Sequence, residues 1–137
     1  MKSAFLLDTC AALWIVDGIL SKDVGEALLA SHKAGLPTYI SPITAWEVGN
    51  MARKGRFKSN LAPDRWFNHL MKAPRAALAG MSPDLLMASC FLPAFPNNDP
   101  ADRIIAATAR EYGFTVVTRD AALLSYGKQG YLSVLAC

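Results

Sequence analysis

The sequence predicts an α/β fold, a three-layer α/β/α sandwich built around a parallel sheet of four to five strands. Short apolar runs alternate with segments of helical spacing, and most of these runs are apolar on consecutive residues. Such runs are typical of strands that helices cover on both faces. The chain has 137 residues, of which 53% are hydrophobic. That length and composition favour one domain spanning residues 1–137.

The first half of the chain supplies two predicted strands and four predicted helices. The strands are short apolar runs, and the first three helices begin at a capping residue or at a proline. We expect Leu28 and Leu29 to face the core from the second helix, and Trp66 and Leu70 from the fourth. The predicted elements are a strand over Ser3–Leu7, a helix over Thr9–Val16, a helix from Ser21 to Gly35, a strand over Pro37–Ser41, a helix from Pro42 to Arg53 and a helix over Ala62–Met71.

The second half continues the alternation of strands and helices. The run ending at Thr118 has the clearest strand pattern, because its residues are apolar or β-branched. A proline opens each of the next two helices, and Asp120 opens the last. The predicted elements are a strand over Arg75–Ala79, a helix over Pro83–Cys90, a helix from Pro100 to Tyr112, a strand over Phe114–Thr118, a helix from Asp120 to Gly127 and a strand over Tyr131–Leu135.

Composition excludes several classes of protein. The longest uncharged stretch, Leu85–Asn98, contains two prolines and is too short to span a bilayer, and Asp8 interrupts the apolar N-terminus before a signal sequence can form. The three cysteines, Cys10, Cys90 and Cys137, lack C-x-x-C spacing, which fits a reducing, cytoplasmic location. Core packing is the expected role of Cys10. The formal net charge of +3 permits a polyanionic partner without requiring one.

Five acidic residues lie directly after predicted strands, in the helix that follows the second strand, or at the start of a later helix. In a parallel sheet the strand-to-helix junctions share one edge, where ligands bind. Carboxylates that converge repel one another unless a cation lies among them, and a hard divalent ion such as Mg²⁺ or Mn²⁺ suits oxygen ligands. The sequence therefore favours a metal site at this edge. The five residues are Asp8, Glu47, Asp99, Asp102 and Asp120.

Helix capping is the alternative interpretation of the same acids. Asp8, Asp99 and Asp120 each precede a predicted helix, as N-cap residues do. Glu47 follows Thr44 by three residues, the spacing of a capping box. Both interpretations stay open for each residue taken singly, although capping does not explain why the acids share one edge.

Other catalytic chemistries have little support. The sequence contains no G-x-S-x-G, G-x-x-x-x-G-K-[ST] or G-x-G-x-x-G motif, which disfavours serine hydrolases, P-loop nucleotidases and dinucleotide enzymes. The two histidines, His32 and His69, fall in predicted surface helices, where we expect solvated side chains.

Four segments together resemble the PIN-domain ribonucleases, and more narrowly the toxins of VapBC-type toxin–antitoxin pairs. The similarity holds in order and spacing along the whole chain. It implies a parallel sheet between helices, a homodimer, and an acidic site formed by Asp8, Glu47, Asp102 and Asp120, with Asp99 as an auxiliary acid. Thr9, Ser41 and Thr118 are candidates for hydroxyls that orient these acids. The segments are Phe5–Thr9 (FLLDT), Ser41–Val48 (SPITAWEV), Asp99–Ala109 (DPADRIIAATA) and Val117–Asp120 (VTRD).

The resemblance implies a metal-dependent endoribonuclease that uses Mg²⁺ or Mn²⁺, with Asp8, Asp102 and Asp120 as ligands and Glu47 as a ligand or a base. Apart from these four acids, fourteen basic residues stand against seven acidic ones. The basic residues expected to contact RNA phosphates are Arg53, Lys54, Arg56, Lys58, Arg103 and Arg119. A solvated helix end is an equal alternative for Lys54 and Arg56.

An antitoxin protein is the second partner that the resemblance implies, since a free ribonuclease harms its own cell. Its apolar segment is expected in a groove near Trp14, Ile15, Val16 and Phe57. Many relatives carry His or Asn at the position of Cys10 and His-Arg at the position of Asn97-Asn98, which affects details around the acids. Two rival functions remain: a catalytically silent PIN-like module that binds RNA or protein, and a metal-dependent DNA nuclease or phosphohydrolase.

Overall fold

The computed structural model describes residues 3–137. Within these residues five strands form one sheet: β1 (Phe5–Leu7), β2 (Thr38–Ile40), β3 (Ala76–Leu78), β4 (Thr115–Thr118) and β5 (Ser133–Ala136). The helices are α1 (Thr9–Asp17), α2 (Lys22–Lys33), α3 (Pro42–Arg53), α4 (Pro63–Met71), α5 (Pro83–Cys90), α6 (Pro100–Tyr112) and α7 (Ala121–Lys128). The α/β class and the parallel sheet predicted from the sequence are confirmed.

The strand order is β3-β2-β1-β4-β5, and all neighbouring strands are parallel. In the central strand, Leu7 pairs with Ile40 of β2 on one side and with Val117 of β4 on the other. The chain builds the sheet from β1 outward through β2 and β3, and then returns to the other side of β1 for β4 and β5. The order therefore reverses between β1 and β4, and crevices at such points bind ligands in open α/β sheets.

Helices cover both faces of the sheet and complete the three layers. Leu7 lies in an apolar cluster with residues of α1, α2, α3 and α4, including the buried Trp66. Its neighbour Leu6 lies in a second cluster with residues of α6 and α7, including the buried Tyr126. Successive strand residues point to opposite faces. Both faces of β1 are thus buried, which explains its run of consecutive apolar residues.

Local chemistry sets most helix boundaries. Ser21, Ser41 and Ser82 cap α2, α3 and α5 through hydrogen bonds from backbone N–H groups to their hydroxyl oxygens. Proline lies in the first turn of α3, α4, α5 and α6, where its missing N–H costs nothing. Gly113 ends α6 with a φ of 72°, a conformation that glycine adopts without a steric penalty.

The structure differs from several sequence predictions in detail. The strands differ from the predicted runs mainly at their N-terminal ends: β1 begins at Phe5, β4 begins at Thr115, and β5 begins at Ser133 and continues to Ala136. Leu29 was expected in the core but is 53% exposed. Successive residues of a helix point about 100° apart, and α2 directs Leu28 to the core, so Leu29 faces away from the core. The capping box at Thr44 is wrong, because Ser41 is the N-cap of α3. His32 is half-buried and hydrogen-bonded to the Thr38 hydroxyl at 2.8 Å rather than solvated.

Among the helices between Ser3 and Cys137, none is both long and apolar enough to cross a membrane.

Candidate active site at the carboxyl edge of the sheet

The predicted acids meet at the carboxyl ends of β1 and β4, where the strand order reverses. Asp8 directly follows β1, and its N–H donates to the Val117 carbonyl of β4 at 3.2 Å. Asp120 follows β4 after one intervening residue. The first turn of α6 brings Asp102 to the same edge, and α3 brings Glu47. The elements that supply the acids are therefore widely separated in the sequence and adjacent in space.

Asp8 is the most buried of the four acids, with 6% of its surface exposed. One carboxylate oxygen accepts a hydrogen bond from the Ala11 N–H at 2.8 Å, and the other accepts one from the Thr118 hydroxyl. Burial raises the pKa of Asp8, and the nearby charge of Asp120 adds to the rise, while the two hydrogen bonds oppose it. The hydrogen bonds hold the carboxylate in a fixed direction.

Glu47 is half-buried one turn into α3, and its carboxylate accepts a hydrogen bond from the Thr9 hydroxyl. Burial raises the pKa of Glu47, and the Asp99, Asp8 and Asp120 carboxylates raise it further. The Thr9 hydrogen bond acts in the opposite direction. This side chain therefore lies within the electrostatic field of the other acids, as the sequence predicted.

Asp102 is the most strongly perturbed acid. Burial first, and then the neighbouring Asp120 and Asp99 carboxylates, raise its pKa to about 7. The Asn97 amide donates a hydrogen bond to its carboxylate at 3.4 Å. The Asn97 side-chain oxygen in turn accepts the Asp99 N–H at 3.0 Å, which fixes the orientation of the amide. This contact was not predicted, and its one signal in the sequence is the difference from the family at Asn97.

Three of the acids cap helices and also face the site, so the two interpretations made from the sequence are compatible. Asp99 accepts the Ala101 N–H at 3.1 Å, and Asp120 accepts the Leu123 N–H at 3.0 Å, so both acids cap helices while they face the site. Asp8 does the same for α1. The partial positive charge at a helix N-terminus favours each of these carboxylates. Helix geometry thus accounts for three acids at one edge.

The three predicted hydroxyl residues divide into two groups. Thr9 and Thr118 each donate to one of the acids, and the Thr118 oxygen also accepts the Asp120 N–H at 2.9 Å. Ser41 is buried and caps α3 by accepting the Ile43 N–H at 3.1 Å. Its position at the end of β2 fixes where α3 begins. A fourth hydroxyl, that of Thr44, was not predicted and lies 3.1 Å from the Thr9 oxygen.

The donor chemistry of the site fits a hard divalent cation. All the candidate ligands are carboxylates. Burial first, and then mutual repulsion, raises the pKa values of Asp8, Glu47 and Asp102, and the repulsion is relieved when a cation binds among them. Within the described part of the chain, no three acidic, histidine or cysteine side chains lie close enough together to hold one ion as they stand. Several of these carboxylates are turned toward backbone N–H groups, so metal binding requires some of them to rotate toward the crevice.

Most of the predicted RNA contacts are exposed. Arg53, Lys54, Arg56 and Lys58 lie on the surface at the end of α3 and just beyond it. Arg119 is exposed, and its guanidinium carbon lies 4.0 Å from the centre of the Trp14 ring, while its Nε donates to the Cys137 carbonyl at 3.2 Å. Arg119 lies one residue after β4, beside Asp120 at the acidic edge, whereas the other four side chains lie at the C-terminal end of α3 or just beyond it.

Arg103 is half-buried, and its guanidinium makes contacts within the fold that the sequence did not predict. Its Nε donates to the Asn97 carbonyl at 2.8 Å, and another guanidinium nitrogen donates to the Ser89 carbonyl at 3.2 Å. The guanidinium also lies over the Phe95 ring, 5.4 Å from its centre. These contacts tie the loop before α6 to the rest of the fold, and the contact of Arg103 with RNA stays a prediction.

Cys10 is exposed, so its predicted role in core packing is wrong. It lies in the first turn of α1, on the side of the helix away from the buried Ala11 and Ala12. Partial desolvation and the Asp8 carboxylate raise the pKa of its thiol, which disfavours a nucleophilic role.

Comparison with known protein families identifies the class to which this chain belongs. The PIN domain family matches residues 5–129, and the chain therefore belongs to the PIN domain family. This confirms the resemblance noted in the sequence.

Particular relatives lie among the VapC proteins. The chain is 31% identical over 121 residues to Ribonuclease VapC22 of Mycobacterium tuberculosis (strain ATCC 25618 / H37Rv), covering 88% of this chain and 90% of that protein. The fold is similar to VapBC2 from Rickettsia felis, solved with a DNA fragment from its promoter, at a TM-score of 0.69 and 14% identity over 97% of this chain and 98% of that one. It is also similar to DNA-bound VapBC from Salmonella typhimurium, at a TM-score of 0.65 and 19% identity over 98% of both chains.

Proposed function

We propose that this protein is a metal-dependent endoribonuclease and the toxin of a type II toxin–antitoxin pair. The observation that carries the proposal is the convergence of Asp8, Glu47, Asp102 and Asp120 in the crevice between β1 and β4, with raised pKa values at three of them. Membership of the PIN domain family and 31% identity to a protein named Ribonuclease VapC22 support the choice of RNA as the substrate.

Asp8, Asp102 and Asp120 are the proposed ligands of Mg²⁺ or Mn²⁺, with Asp99 as an auxiliary acid. When bound, such an ion neutralises phosphate charge and lowers the pKa of coordinated water. The Ala11 N–H and the Thr118 hydroxyl each occupy one oxygen of the Asp8 carboxylate, and the remaining lone pairs of these oxygens are available to a cation.

Glu47 is the proposed base. Its raised pKa, caused first by burial, brings its basicity closer to neutral pH than that of an ordinary glutamate. The Thr9 hydroxyl holds one of its oxygens, which leaves the other oxygen to orient the attacking water and accept a proton. In-line attack by water on the phosphodiester then leaves 5′-phosphate and 3′-hydroxyl ends, as the family resemblance implies.

Arg53, Lys54, Arg56, Lys58 and Arg119 are the proposed phosphate contacts. The long exposed side chains of Lys54, Arg56 and Lys58 can follow a flexible backbone without pre-formed geometry. Binding through such contacts weakens steeply as salt concentration rises.

An antitoxin is the proposed protein partner, and a homodimer in the cytoplasm is the proposed state of the chain. A groove of about 650 Å³ lies between the end of α1 and the segment after α3. Ile15, Ile19 and Leu61 are exposed large apolar side chains at the end of α1 and in this segment, and they offer a hydrophobic surface to a partner. The groove is lined by Asp17, Phe57, Lys58, Ser59, Asn60 and Leu61.

The direct experiment is to incubate the purified chain with structured RNA, with DNA of the same sequence and with a small phosphodiester, each with Mn²⁺ or with EDTA. The proposal requires internal cleavage of RNA that depends on the divalent ion. Cleavage of DNA or of the small ester at a comparable rate would favour a general nuclease or phosphohydrolase, and binding of RNA without cleavage would favour a silent module.

A further inference from the structure

We infer that Thr44 is a positioning residue for Glu47 and acts through the hydroxyl of Thr9. Thr44 lies in the first turn of α3 and is fully buried, with 0% of its surface exposed. Its hydroxyl oxygen lies 3.1 Å from that of Thr9, the first residue of α1. Thr9 in turn donates to the Glu47 carboxylate, one turn beyond Thr44 on the same helix. The three side chains form a continuous chain from the core to the site.

The direction of this chain follows from its hydrogen atoms. A threonine hydroxyl has one hydrogen to donate and two lone pairs to accept with. The Thr9 hydrogen is directed to Glu47, so the Thr9 oxygen accepts at the 3.1 Å contact and Thr44 donates. Hydrogen bonds in series polarise one another, which strengthens the bond to the carboxylate. Thr44 therefore aligns the hydroxyl that holds Glu47.

The backbone makes this alignment rigid. The Thr44 N–H donates to the Ser41 carbonyl at 3.0 Å in the first turn of α3, which begins at Pro42. In the next turn the buried Val48 packs into the core. Thr9 is buried as well, at 8% exposed. A β-branched side chain in a helix has few χ1 rotamers, so one extra hydrogen bond is enough to select one of them for Thr9. Loss of that bond frees Thr9 to leave Glu47.

The test compares Thr44→Val, which keeps the shape and removes the hydroxyl, with Thr44→Ser, which keeps the hydroxyl and removes a methyl group. The matched control is Thr108→Val, because Thr108 is equally buried and its hydroxyl donates to the Ile104 carbonyl within α6, at 2.7 Å. For RNA cleavage with Mn²⁺ we expect Thr44→Val to lower kcat about tenfold and to leave KM within about twofold. Thr44→Ser and Thr108→Val should both stay within about threefold of the wild-type kcat.

The kinetic readout rests on the proposed function, and a second readout does not. Three-bond couplings measured by NMR report the χ1 angle of Thr9 in the protein without RNA or metal. We expect one fixed rotamer in the wild type and in Thr44→Ser, and averaged couplings in Thr44→Val. A chain that cleaves no RNA refutes the proposed function, while the couplings still test the inference.

Three results would overturn the role of Thr44. One is an unchanged Thr9 rotamer in Thr44→Val. Another is a kcat that remains at the wild-type value in Thr44→Val while its melting temperature falls by as much as that of Thr108→Val. The third is an equal loss of kcat in Thr44→Ser, which would assign the effect to packing of the methyl group instead of to the hydroxyl.

Discussion

Burial of the acids, together with the repulsion among them, predicts that the fold loses stability as pH rises in the absence of divalent ions. Asp102 is the clearest case, because its pKa is raised from 3.8 to about 7, first by burial and then by Asp120 and Asp99. A carboxyl group with a higher pKa in the folded state binds its proton more tightly there than in the unfolded chain. Its stabilising contribution is therefore complete below about pH 4 and is lost as pH rises through about 7.

Substitution of Asp102 by asparagine removes this contribution and isolates its size. Each pKa unit corresponds to about 1.4 kcal/mol, and solvent screening of this partly exposed group reduces the total to about 1–2 kcal/mol. At pH 8 and with EDTA, Asp102→Asn should exceed the wild type in unfolding free energy by that amount, or by about 5 °C in melting temperature. At pH 4 the two proteins should be nearly equal.

Urea denaturation between pH 4 and pH 8, followed by tryptophan fluorescence, measures the difference because Trp66 is buried in the core. Glu111→Gln is the matched control, since it removes an exposed carboxylate from the same helix. The reasoning is refuted if the difference between Asp102→Asn and wild type does not grow with pH, or if Glu111→Gln reproduces it.

Three further predictions concern packing and binding. Gly127→Ala should lower the unfolding free energy by about 1–3 kcal/mol, because a Cβ there would lie 2.5 Å from Val134, whereas Gly49→Ala, with open space, should not destabilise the fold. Equal melting temperatures would contradict this. Trp66→Ala should cost about 3–5 kcal/mol in urea denaturation, and a loss below about 1 kcal/mol would show a loosely packed core. Arg56→Ala should reduce the slope of log K for RNA binding against log salt concentration by about 1, the value of one phosphate contact. An unchanged slope would remove Arg56 from the RNA surface.

The fold and the meeting of the acids were predictable because they follow from local rules. Consecutive apolar residues marked the buried strands, and Asp8 and Asp120 both followed such strands. In a parallel sheet that placement alone sends both residues to one edge. Capping chemistry located the start of α6 and thereby Asp102.

The contacts between distant side chains were not predictable from one sequence. The hydrogen bond between Thr9 and Thr44 joins residues that are 35 positions apart in the sequence. It depends on how α1 and α3 are rotated about their axes. Arg103 follows Asp102 directly, yet its guanidinium turns to the Asn97 loop because carbonyl groups lie within reach there. For Leu29, two adjacent leucines fit the helical pattern equally well, and only packing selects Leu28 for the core.

The most direct test of the central claim is the rate of RNA cleavage by Asp8→Asn in the presence of Mn²⁺, compared with wild type and with Asp64→Asn, which alters an exposed acid of α4. Asparagine caps helices as well as aspartate does, so α1 and the melting temperature should be preserved. We predict that Asp8→Asn loses cleavage by at least about 100-fold, while Asp64→Asn retains the wild-type rate. A folded Asp8→Asn protein that cleaves RNA at the wild-type rate would contradict the proposed site.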